Sequence, residues 1–340
     1  MLCGRRNSQE REVEDMNSRQ RVLTALNGKI PDRVPFLDLI DKEMQIMIMG
    51  RENFDKLEIT EEMQMDAIQC DGFFPPIFAD MEKVGYDRSV IKSSLIKTRD
   101  DLALAKFPVL DEKFFEAPER FIEQYGNSGF ALYFRTRMGC AGVLNSMGID
   151  GFSLALADDP YVIETLMDMY VEWVIELLDK VRGLGFDFCW FADDIAYKTT
   201  LMMSPQIFRE IFLCRMRKVA EHIHLPWVYH SDGNILPVFE DLLSLGMNGI
   251  NPIEPGAMDI EEIKEKYGHE VCLIGNIDLH YTLTRGTPEE VEAEVRNRIE
   301  KIGRDGGYII SSSNSITNYC KLENVIAMRD AVVKYRSIFC

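Results

Sequence analysis

The sequence predicts a single (β/α)8 barrel, and three observations carry this prediction. Short apolar runs alternate with longer amphipathic segments, which is the pattern of parallel strands joined by helices. Eight such runs occur, the number that closes a barrel. A length of 340 residues fits one barrel with insertions better than two ordinary domains. The predicted strands are residues 34–39, 67–70, 130–134, 186–191, 226–229, 249–253, 271–274 and 308–310.

Helix start signals lie before and between these strands. Residues 18–26 open with a serine cap and give the barrel an N-terminal helical extension, and residues 159–184 carry apolar side chains three and four apart. Residues 204–222 begin Ser-Pro, residues 259–267 begin with Asp, and residues 287–302 begin with the capping box Thr-Pro-Glu-Glu. A doubly wound sheet is the alternative, but no Gly-x-Gly-x-x-Gly follows the first predicted strand.

Composition and charge exclude several classes of protein. A hydrophobic content of 46% is enough for a sizeable core, and a net charge of −18 argues against a nucleic-acid partner. No apolar run reaches the roughly 20 residues that span a bilayer. The eight cysteines are scattered without a Cys-x-x-Cys pair, which favours reduced core thiols over disulfides. We therefore expect a cytoplasmic protein without a membrane partner, and the sequence leaves a homodimer open.

The domain organisation follows from where the patterned sequence begins. Residues 1–15 are charged and polar, with no apolar stretch of the kind that a signal peptide needs, and they predict a flexible extension. Residues 16–340 contain neither an internal repeat nor a low-complexity linker. We expect this second range to form the single barrel domain.

Polar, charged and aromatic side chains follow the predicted strand ends. In a barrel these positions converge on one mouth, where binding and catalysis take place. The residues at these positions are Asp38, Asp41, Phe73, Phe74, Phe78, Arg135, Arg137, Asp193, Asp194, His230, Asp232, Asn251, Glu254, Asn276, Asp278, Ser312 and Asn314.

The run Tyr-His-Ser-Asp-Gly at residues 229–233 is the sharpest local signal. His230 and Asp232 leave the same strand end two residues apart, and they can bind a metal or act as a proton donor with an orienting carboxylate. A histidine that is hydrogen-bonded structurally near a turn is the alternative. The following Gly233 favours the functional interpretation, because glycine permits a tight turn beside a ligand.

Two adjacent carboxylates, Asp193 and Asp194, follow the predicted strand 186–191. Neighbouring carboxylates repel each other, so one of them can hold a proton at neutral pH and act as a catalytic acid. The alternative is that one caps a helix or loop while the other binds an arginine. The sequence does not decide which of the two faces the mouth.

Further candidates would bind the substrate. Arg135 and Arg137 alternate on one strand, and either can clamp a substrate carboxylate. The alternative is an internal salt bridge to one of the acidic residues Asp193, Asp194 or Glu254.

A loop and an aromatic cluster complete the substrate-binding candidates. The loop Gly-Asn-Ile-Asp at residues 275–278 can read a ligand through Asn276 and Asp278, although the aspartate can equally start the next turn. The cluster around the Pro-Pro pair, Phe73, Phe74 and Phe78, can line an aromatic pocket, but such residues are more often core.

Several of these motifs together resemble members of the uroporphyrinogen decarboxylase superfamily. The similarity extends over nearly the whole chain from Met16, and the combination is more specific than any one motif. The resemblance implies a (β/α)8 TIM barrel, in agreement with the strand count. The motifs that carry it are residues 17–28, 31–35, 193–194, 204–208, 230–233, 275–278, 286–291, 306–309 and 323–325.

The superfamily has two main activities. The decarboxylase proper binds a polycarboxylate tetrapyrrole with an N-terminal signature of the Arg-Gln-Ala-Gly-Arg kind, but here the corresponding residues 34–41 are acidic and would repel that substrate. The other branch comprises corrinoid-dependent methyltransferases, which move a methyl group between a small substrate and a cobalt corrinoid on a partner protein. The resemblance therefore favours the methyltransferase branch.

The sequence departs from the thiol-methylating members of that branch. Those members bind zinc through a His-x-Cys pair and a late cysteine, whereas this chain has His230, Asp232 and Asn314 at the three positions. The departure disfavours a thiol acceptor. A harder site of His230 and Asp232, completed by an acidic residue from Asp193, Asp194 or Glu254, can still hold zinc.

The chain thus resembles the substrate-side methyltransferases of anaerobic O-demethylase systems, in which a methyl group passes from an aromatic ether to cobalt(I). The resemblance implies a corrinoid (methylcobalamin) on a partner protein, with zinc as a candidate second cofactor. A decarboxylase or lyase of a small carboxylic acid and a non-catalytic binding homologue are the alternatives. The expected catalytic residues are His230, Asp232, Asp193 and Asp194, and the expected substrate-binding residues are Phe73, Phe74, Phe78, Arg135, Arg137, Asn276, Asp278 and Asn314.

Overall fold

A computed structural model describes residues 15–86 and 89–337, so the predicted flexible extension lies outside the described residues except for Asp15. Within these residues seven parallel strands form one curled sheet, and each strand pairs with the strand of this sheet that follows it in the sequence. A separate antiparallel hairpin of two further strands follows the first strand of the sheet. The sheet consists of β1 (Ala67–Cys70), β4 (Ala131–Thr136), β5 (Phe188–Ala192), β6 (Trp227–His230), β7 (Gly249–Asn251), β8 (Cys272–Ile274) and β9 (Tyr308–Ile309), and the hairpin of β2 (Ala79–Lys83) and β3 (Ser89–Ser94).

Helices surround the sheet and connect its strands in the alternation that the sequence predicts. They are α1 (Ser18–Leu26), α2 (Lys42–Met49), α3 (Lys56–Glu62), α4 (Glu112–Tyr125), α5 (Cys140–Asp158), α6 (Tyr161–Val181), α7 (Pro205–Ile207), α8 (Cys214–Glu221), α9 (Phe239–Leu243), α10 (Ile260–Tyr267), α11 (Pro288–Arg298) and α12 (Leu322–Tyr335), with 3-10 turns at Asp100–Leu104 and Leu236–Val238 and π-helical turns at Phe208–Leu213 and Ile299–Gly303.

The predicted first strand, residues 34–39, differs from the prediction. It forms a single parallel bridge, between Phe36 and Ile310, in place of a regular strand. One physical reason is Pro35, which has no N–H group to donate to a ladder. The backbone still reaches both edges of the sheet, because the Pro35 carbonyl accepts from Ile310 N at 2.9 Å and the Phe36 carbonyl accepts from Asp66 N at 2.7 Å. This segment therefore joins the two outer strands of the curled sheet.

The core is divided by the sheet into two buried clusters. Alternate residues of each strand face opposite sides, so that Phe188 and Trp190 of β5 belong to a smaller cluster while Cys189 and Phe191 belong to the larger one. The smaller cluster also contains Val22, Ala25 and Leu26 of α1. Helix α1 therefore packs against the same face of the sheet as these strand residues, and the larger cluster lies between the sheet and the outer helices.

Helix α5 is long and apolar enough to cross a membrane, although its sequence is not an uninterrupted apolar run. Half of the apolar stretch is nevertheless buried against the rest of the protein. The helix is also interrupted at Gly148, whose φ of 68° and ψ of 161° are not helical. Both features are those of a kinked helix in the wall of a globular fold.

Candidate active site at the carboxyl ends of the strands

The carboxyl ends of β5 and β6 bring one histidine and two carboxylates together. His230 is the last residue of β6 and is only 4% exposed. Its Nε2 atom lies 3.6 Å from Asp194 Oδ1 and 3.7 Å from Asp232 Oδ1. One ligand atom from each of the three residues lies within 4.8 Å of the others. The predicted His230–Asp232 pair is thus joined by a residue of the neighbouring strand.

A hydrogen bond from the next strand fixes the orientation of this histidine. Asn251, at the end of β7, places its Oδ1 atom 2.5 Å from His230 Nδ1. The amide nitrogen of Asn251 donates to the Ile274 carbonyl at 3.0 Å, so the amide oxygen is the atom that faces the ring. Nδ1 therefore donates to Asn251, and Nε2 is the ring nitrogen that faces the two carboxylates.

Asp232 combines burial with an unused acceptor. Its Oδ1 atom is buried and has no hydrogen-bond partner, while Oδ2 accepts from the amide of Asn314. Burial raises the pKa of Asp232 to about 6; the neighbouring His230 opposes this rise, and Asp194 and Glu254 add to it. The free oxygen beside Nε2 fits either a bound cation or a proton held on the carboxyl group.

Of the two adjacent aspartates, Asp194 is the one that faces the histidine. Its side chain is half exposed, and Oδ1 accepts from the backbone of Asp232 at 3.0 Å. Asp193 is fully buried and binds the start of α5, where it accepts from the backbone of Met138, Cys140 and Ala141 at 3.1, 3.2 and 2.6 Å. Burial raises the pKa of Asp193 to about 6 against the effect of these donors. Asp193 therefore caps a helix, as one of the two sequence alternatives states.

The two predicted arginines do not form the internal salt bridge that the sequence left open. Within the described part of the chain, neither Arg135 nor Arg137 forms an ion pair, and the Nε atom of Arg135 is buried without a partner. Both guanidinium groups lie over the ring of Phe74, with central carbons 5.6 and 4.5 Å from its centroid. Burial lowers the pKa of both arginines.

The other two phenylalanines of the predicted aromatic pocket, Phe73 and Phe78, lie in the core instead. Phe73 is completely buried and packs against Phe134 and Phe186, and Phe78 packs against Phe107 and Tyr170. Both belong to the larger core cluster. Both are therefore core residues, and of the three phenylalanines only Phe74 contacts the arginines.

The late-loop candidates have different partners. Asn276 is buried and donates to the Ile253 carbonyl at 2.7 Å, while its Oδ1 atom is buried without a partner. Asp278 accepts from the backbone of His280 and Tyr281 at 2.8 and 3.2 Å, which is the turn-starting role given as the alternative. Asn314 donates to Asp232 and so touches the histidine site directly.

A cavity of about 880 Å³ lies between β1, β4 and the helices α2 to α4. His230, Asp194 and Asp232 do not line it, but Ser315 does, and the preceding residue Asn314 contacts Asp232, so the cavity comes within one residue of the histidine site. Asp38 also lines the cavity and is held by Ser312, which donates from both its backbone and its hydroxyl at 2.7 Å. The aromatic and cationic residues among the lining are Phe54, Phe121, Tyr125, Tyr133, Lys42, Lys56, Arg120 and Arg135.

Sequence reasoning placed Asn251 at the mouth without a specific role and did not name Tyr133, although both take part in the site or the cavity. Tyr133 lies two residues before Arg135 on β4, and the strand period of two places both side chains on the same face. That signal was available in the sequence. The bond between Asn251 and His230 was not, because it depends on the pairing of two strands whose ends were predicted separately.

Comparison with known proteins adds a family. A family model described as uroporphyrinogen decarboxylase (URO-D) matches residues 141–335. The methylcobamide:CoM methyltransferase MtaA of Methanosarcina barkeri is 26% identical over 175 residues, which are 51% of this chain and 49% of that protein. A uroporphyrinogen decarboxylase of Pseudoalteromonas translucida is 24% identical over 187 residues, which are 52% and 49% of the two chains. The matches thus span about half the length of these curated relatives.

Solved structures show the same fold over nearly the whole chain. A methyltransferase from Methanosarcina mazei superposes with a TM-score of 0.75 at 19% identity, covering 94% of this chain and 99% of that one. A B12-independent methionine synthase from Shewanella sp. W3-18-1 superposes with a TM-score of 0.54 at 12% identity, covering 86% and 88%. At these identities the similarity establishes the architecture alone.

Proposed function

The chain belongs to the uroporphyrinogen decarboxylase family, and from this premise we propose that it is a methyltransferase that moves a methyl group from a small methylated substrate to the cobalt of a corrinoid on a partner protein. The names of two relatives support the reaction class: a methylcobamide:CoM methyltransferase and a methylated-thiol–coenzyme M methyltransferase. The observation that carries the proposal is the histidine site, in which the free Nε2 atom of His230 faces Asp194 and Asp232.

The residues of this site fit a divalent metal ion. Two atoms that each lie about 2.1 Å from one tetrahedral ion are about 3.4 Å apart, close to the 3.6 and 3.7 Å measured from His230 to the two carboxylates. One of these two carboxylate oxygens, Asp232 Oδ1, is buried without a hydrogen-bond partner and is free to bind the ion. One nitrogen and two oxygens make a harder donor set than a thiolate site, and zinc accepts both kinds. A metal ion bound there would act as a Lewis acid on the oxygen of the leaving group.

The donor that we favour is an aromatic methyl ether. Four aromatic side chains, Phe54, Phe121, Tyr125 and Tyr133, line the cavity beside the histidine site, and its volume of about 880 Å³ admits a substituted ring. The acidic segment of residues 34–41 would repel a polycarboxylate tetrapyrrole, which favours a smaller substrate with fewer charges. There Asp38 is held by Ser312, and Asp41 caps α2 through the Met44 backbone.

In such a reaction this chain would stabilise the leaving group. When bound on its partner protein, the corrinoid would supply the nucleophilic cobalt that takes the methyl group. The ether oxygen keeps the electron pair of the broken C–O bond, and a phenolate with a conjugate-acid pKa of about 10 leaves more readily when positive charge or a proton is held beside it. His230 and Asp232 are placed to hold that metal ion or proton, because Nε2 and the unpartnered carboxylate oxygen face the same point.

A methyl-transfer assay tests the proposal. The purified protein would be supplied with zinc, cob(I)alamin and a panel of methoxyarenes, and methylcobalamin would be followed by its absorbance. We expect turnover by the native protein and a loss of at least about 100-fold in His230→Ala, the scale of removing a group that acts in the transition state. The matched control is His280→Ala, since this histidine also lies near the mouth but its side chain is 69% exposed. Carbon dioxide release without methyl transfer would overturn the proposal in favour of a decarboxylase.

A further inference from the structure

Two arginines beside the mouth carry charge that no described ion pair neutralises, although Asp193, Asp194 and Asp71 act on them from beyond ion-pair distance. Neither Arg135 nor Arg137 forms an ion pair with any described residue, and the Nε atom of Arg135 is buried without a hydrogen-bond partner. Both arginines are partly buried, and a charge that loses hydration without gaining an ion pair is unfavourable in a folded protein. The two side chains are therefore the strongest indication in the molecule of an anionic ligand.

Phe74 holds both guanidinium groups in place. Their central carbons lie 4.5 Å (Arg137) and 5.6 Å (Arg135) from the centre of the ring, within the range of a cation–π interaction. This contact restricts the arginine side chains without using any of their N–H donors. The donors remain available to a ligand, so Phe74 is a positioning residue and not the platform on which a substrate ring stacks.

The carboxylates that line the adjoining cavity are already engaged, which leaves the guanidinium of Arg135 without a carboxylate partner there; Lys42, which also lines the cavity, lies over the ring of Phe54. Asp71 pairs with Lys56 at 2.6 Å, Asp55 caps α3 through the Glu58 backbone at 2.9 Å, and Asp38 accepts three hydrogen bonds from Ser312 and Leu39. A ligand anion in the cavity would thus meet one free arginine, backed by a second.

We propose that Arg135, supported by Arg137 and Phe74, binds the carboxylate of an aromatic substrate. A planar guanidinium matches a planar carboxylate with two parallel hydrogen bonds. The aromatic walls Tyr125, Phe121 and Tyr133 would receive the ring to which the carboxylate is attached. A monoanion suits the site better than a phosphate, because the negative charges of Asp194 and Asp71 also act on Arg135.

The proposal rests on the proposed function only in naming the ligand as the substrate of methyl transfer, since the binding itself requires neither corrinoid nor metal. Isothermal titration of the full chain with benzoate and with its neutral analogue benzamide measures it directly. We expect benzoate to bind at least about 10-fold more tightly than benzamide, the scale of one charge-assisted bidentate contact. Turnover can then fail in the separate methyl-transfer assay without affecting this result.

Variants identify the residue responsible. Arg135→Gln should abolish the preference for benzoate, Arg137→Gln should reduce it by about 3-fold, and Arg135→Lys should retain part of it, because lysine keeps the charge but not the fork of donors. The matched control is Arg120→Gln: Arg120 lines the same cavity, but its side chain is 68% exposed and pairs with Glu116, so benzoate affinity should change less than 2-fold.

Three outcomes would overturn the proposal. They are equal affinity for benzoate and benzamide in the native protein, a preference that survives in folded Arg135→Gln, and tighter binding of inorganic phosphate than of benzoate. Circular dichroism of each variant establishes that it is folded before its affinity is compared.

Discussion

His230 and Asn251 are register partners across β6 and β7, and the imidazole Nδ1 atom lies 2.5 Å from the amide oxygen. The sheet itself therefore orients the imidazole ring. Because the Asn251 amide donates in turn to the Ile274 carbonyl on β8, three consecutive strands fix the direction in which Nε2 points. A ligand nitrogen oriented in this way binds a metal ion more tightly than a mobile one.

Replacing Asn251 by alanine should therefore weaken metal binding without removing a ligand. We expect the affinity for zinc to fall by about 10- to 100-fold, the usual effect of losing the partner of a metal-binding histidine. Competition with a chromogenic chelator measures the affinity. Asn248→Ala is the matched control, because Asn248 precedes the same strand and accepts from the Trp227 backbone at the opposite end. An unchanged zinc affinity in Asn251→Ala would contradict the role given to this bond.

Much of the fold follows from the sequence because strand burial leaves a strong pattern. The predicted strand 67–70 coincides with β1, and the predicted range 308–310 ends one residue beyond β9. The exception is residues 34–39, where Pro35 removes a donor and the apolar pattern persists without a regular ladder. The hairpin of β2 and β3 was not predicted, since its mostly exposed residues lack an apolar run.

The site was predicted less completely than the fold, for a physical reason. His230 and Asp232 are two residues apart in sequence, so their proximity is local, whereas the choice of Asp194 over Asp193 depends on which way a turn after β5 points. The same limit applies to Phe73 and Phe78, because hydrophobicity does not distinguish a pocket wall from the core.

The different placement of the adjacent aspartates predicts different effects for the same substitution. Asp193→Asn should lower the free energy of unfolding by about 1–3 kcal/mol, since it weakens hydrogen bonds to three buried backbone N–H groups, and should leave zinc content unchanged. Asp194→Asn should reduce zinc content with little effect on stability, because its side chain is half exposed. Urea unfolding and elemental analysis of both variants make the comparison. The assignment is wrong if Asp193→Asn loses zinc while Asp194→Asn keeps it.

Asp38 predicts a pH dependence of stability. Burial raises its pKa to about 7 from an ordinary value of 3.8, despite hydrogen bonds from Ser312. The unfolded chain thus releases this proton near pH 4 and the folded chain near pH 7, so the contribution of Asp38 to stability is complete below pH 4 and is lost as the pH rises to 7.

We therefore expect the stability of the native protein, relative to Asp38→Asn, to fall by roughly 2–4 kcal/mol between pH 4 and pH 8. Denaturant unfolding of both proteins over this range measures the difference, and the use of a difference removes the contributions of other groups. A difference that is flat with pH would show that Asp38 ionises at its ordinary pKa, and one that grows as the pH rises would show that folding lowers the pKa of Asp38.

Gly233 predicts a steric requirement in the turn after His230. Its φ is 81°, and a Cβ atom there would lie 2.4 Å from the Tyr197 carbonyl oxygen. Gly246 has nearly the same φ, 86°, but nothing lies within 4 Å of its Cβ position. Gly246→Ala should thus lower the free energy of unfolding by about 1 kcal/mol, from backbone strain alone, and Gly233→Ala by about 3 kcal/mol. Equal losses in the two variants would mean that the turn yields to the added methyl group.

Removing the charge of Arg135 should make the ligand-free protein more stable. Because its guanidinium is desolvated and unpaired, replacing it by methionine, which has a similar length and no charge, should raise the free energy of unfolding of the ligand-free protein by about 1–2 kcal/mol. The measurement is urea unfolding with and without a saturating concentration of benzoate. In the native protein benzoate should raise the stability, since a ligand that binds only the folded state adds RT ln(1 + [L]/Kd), whereas in Arg135→Met it should have little effect. A variant that is less stable than the native protein without benzoate would show instead that the arginine is paired within the fold.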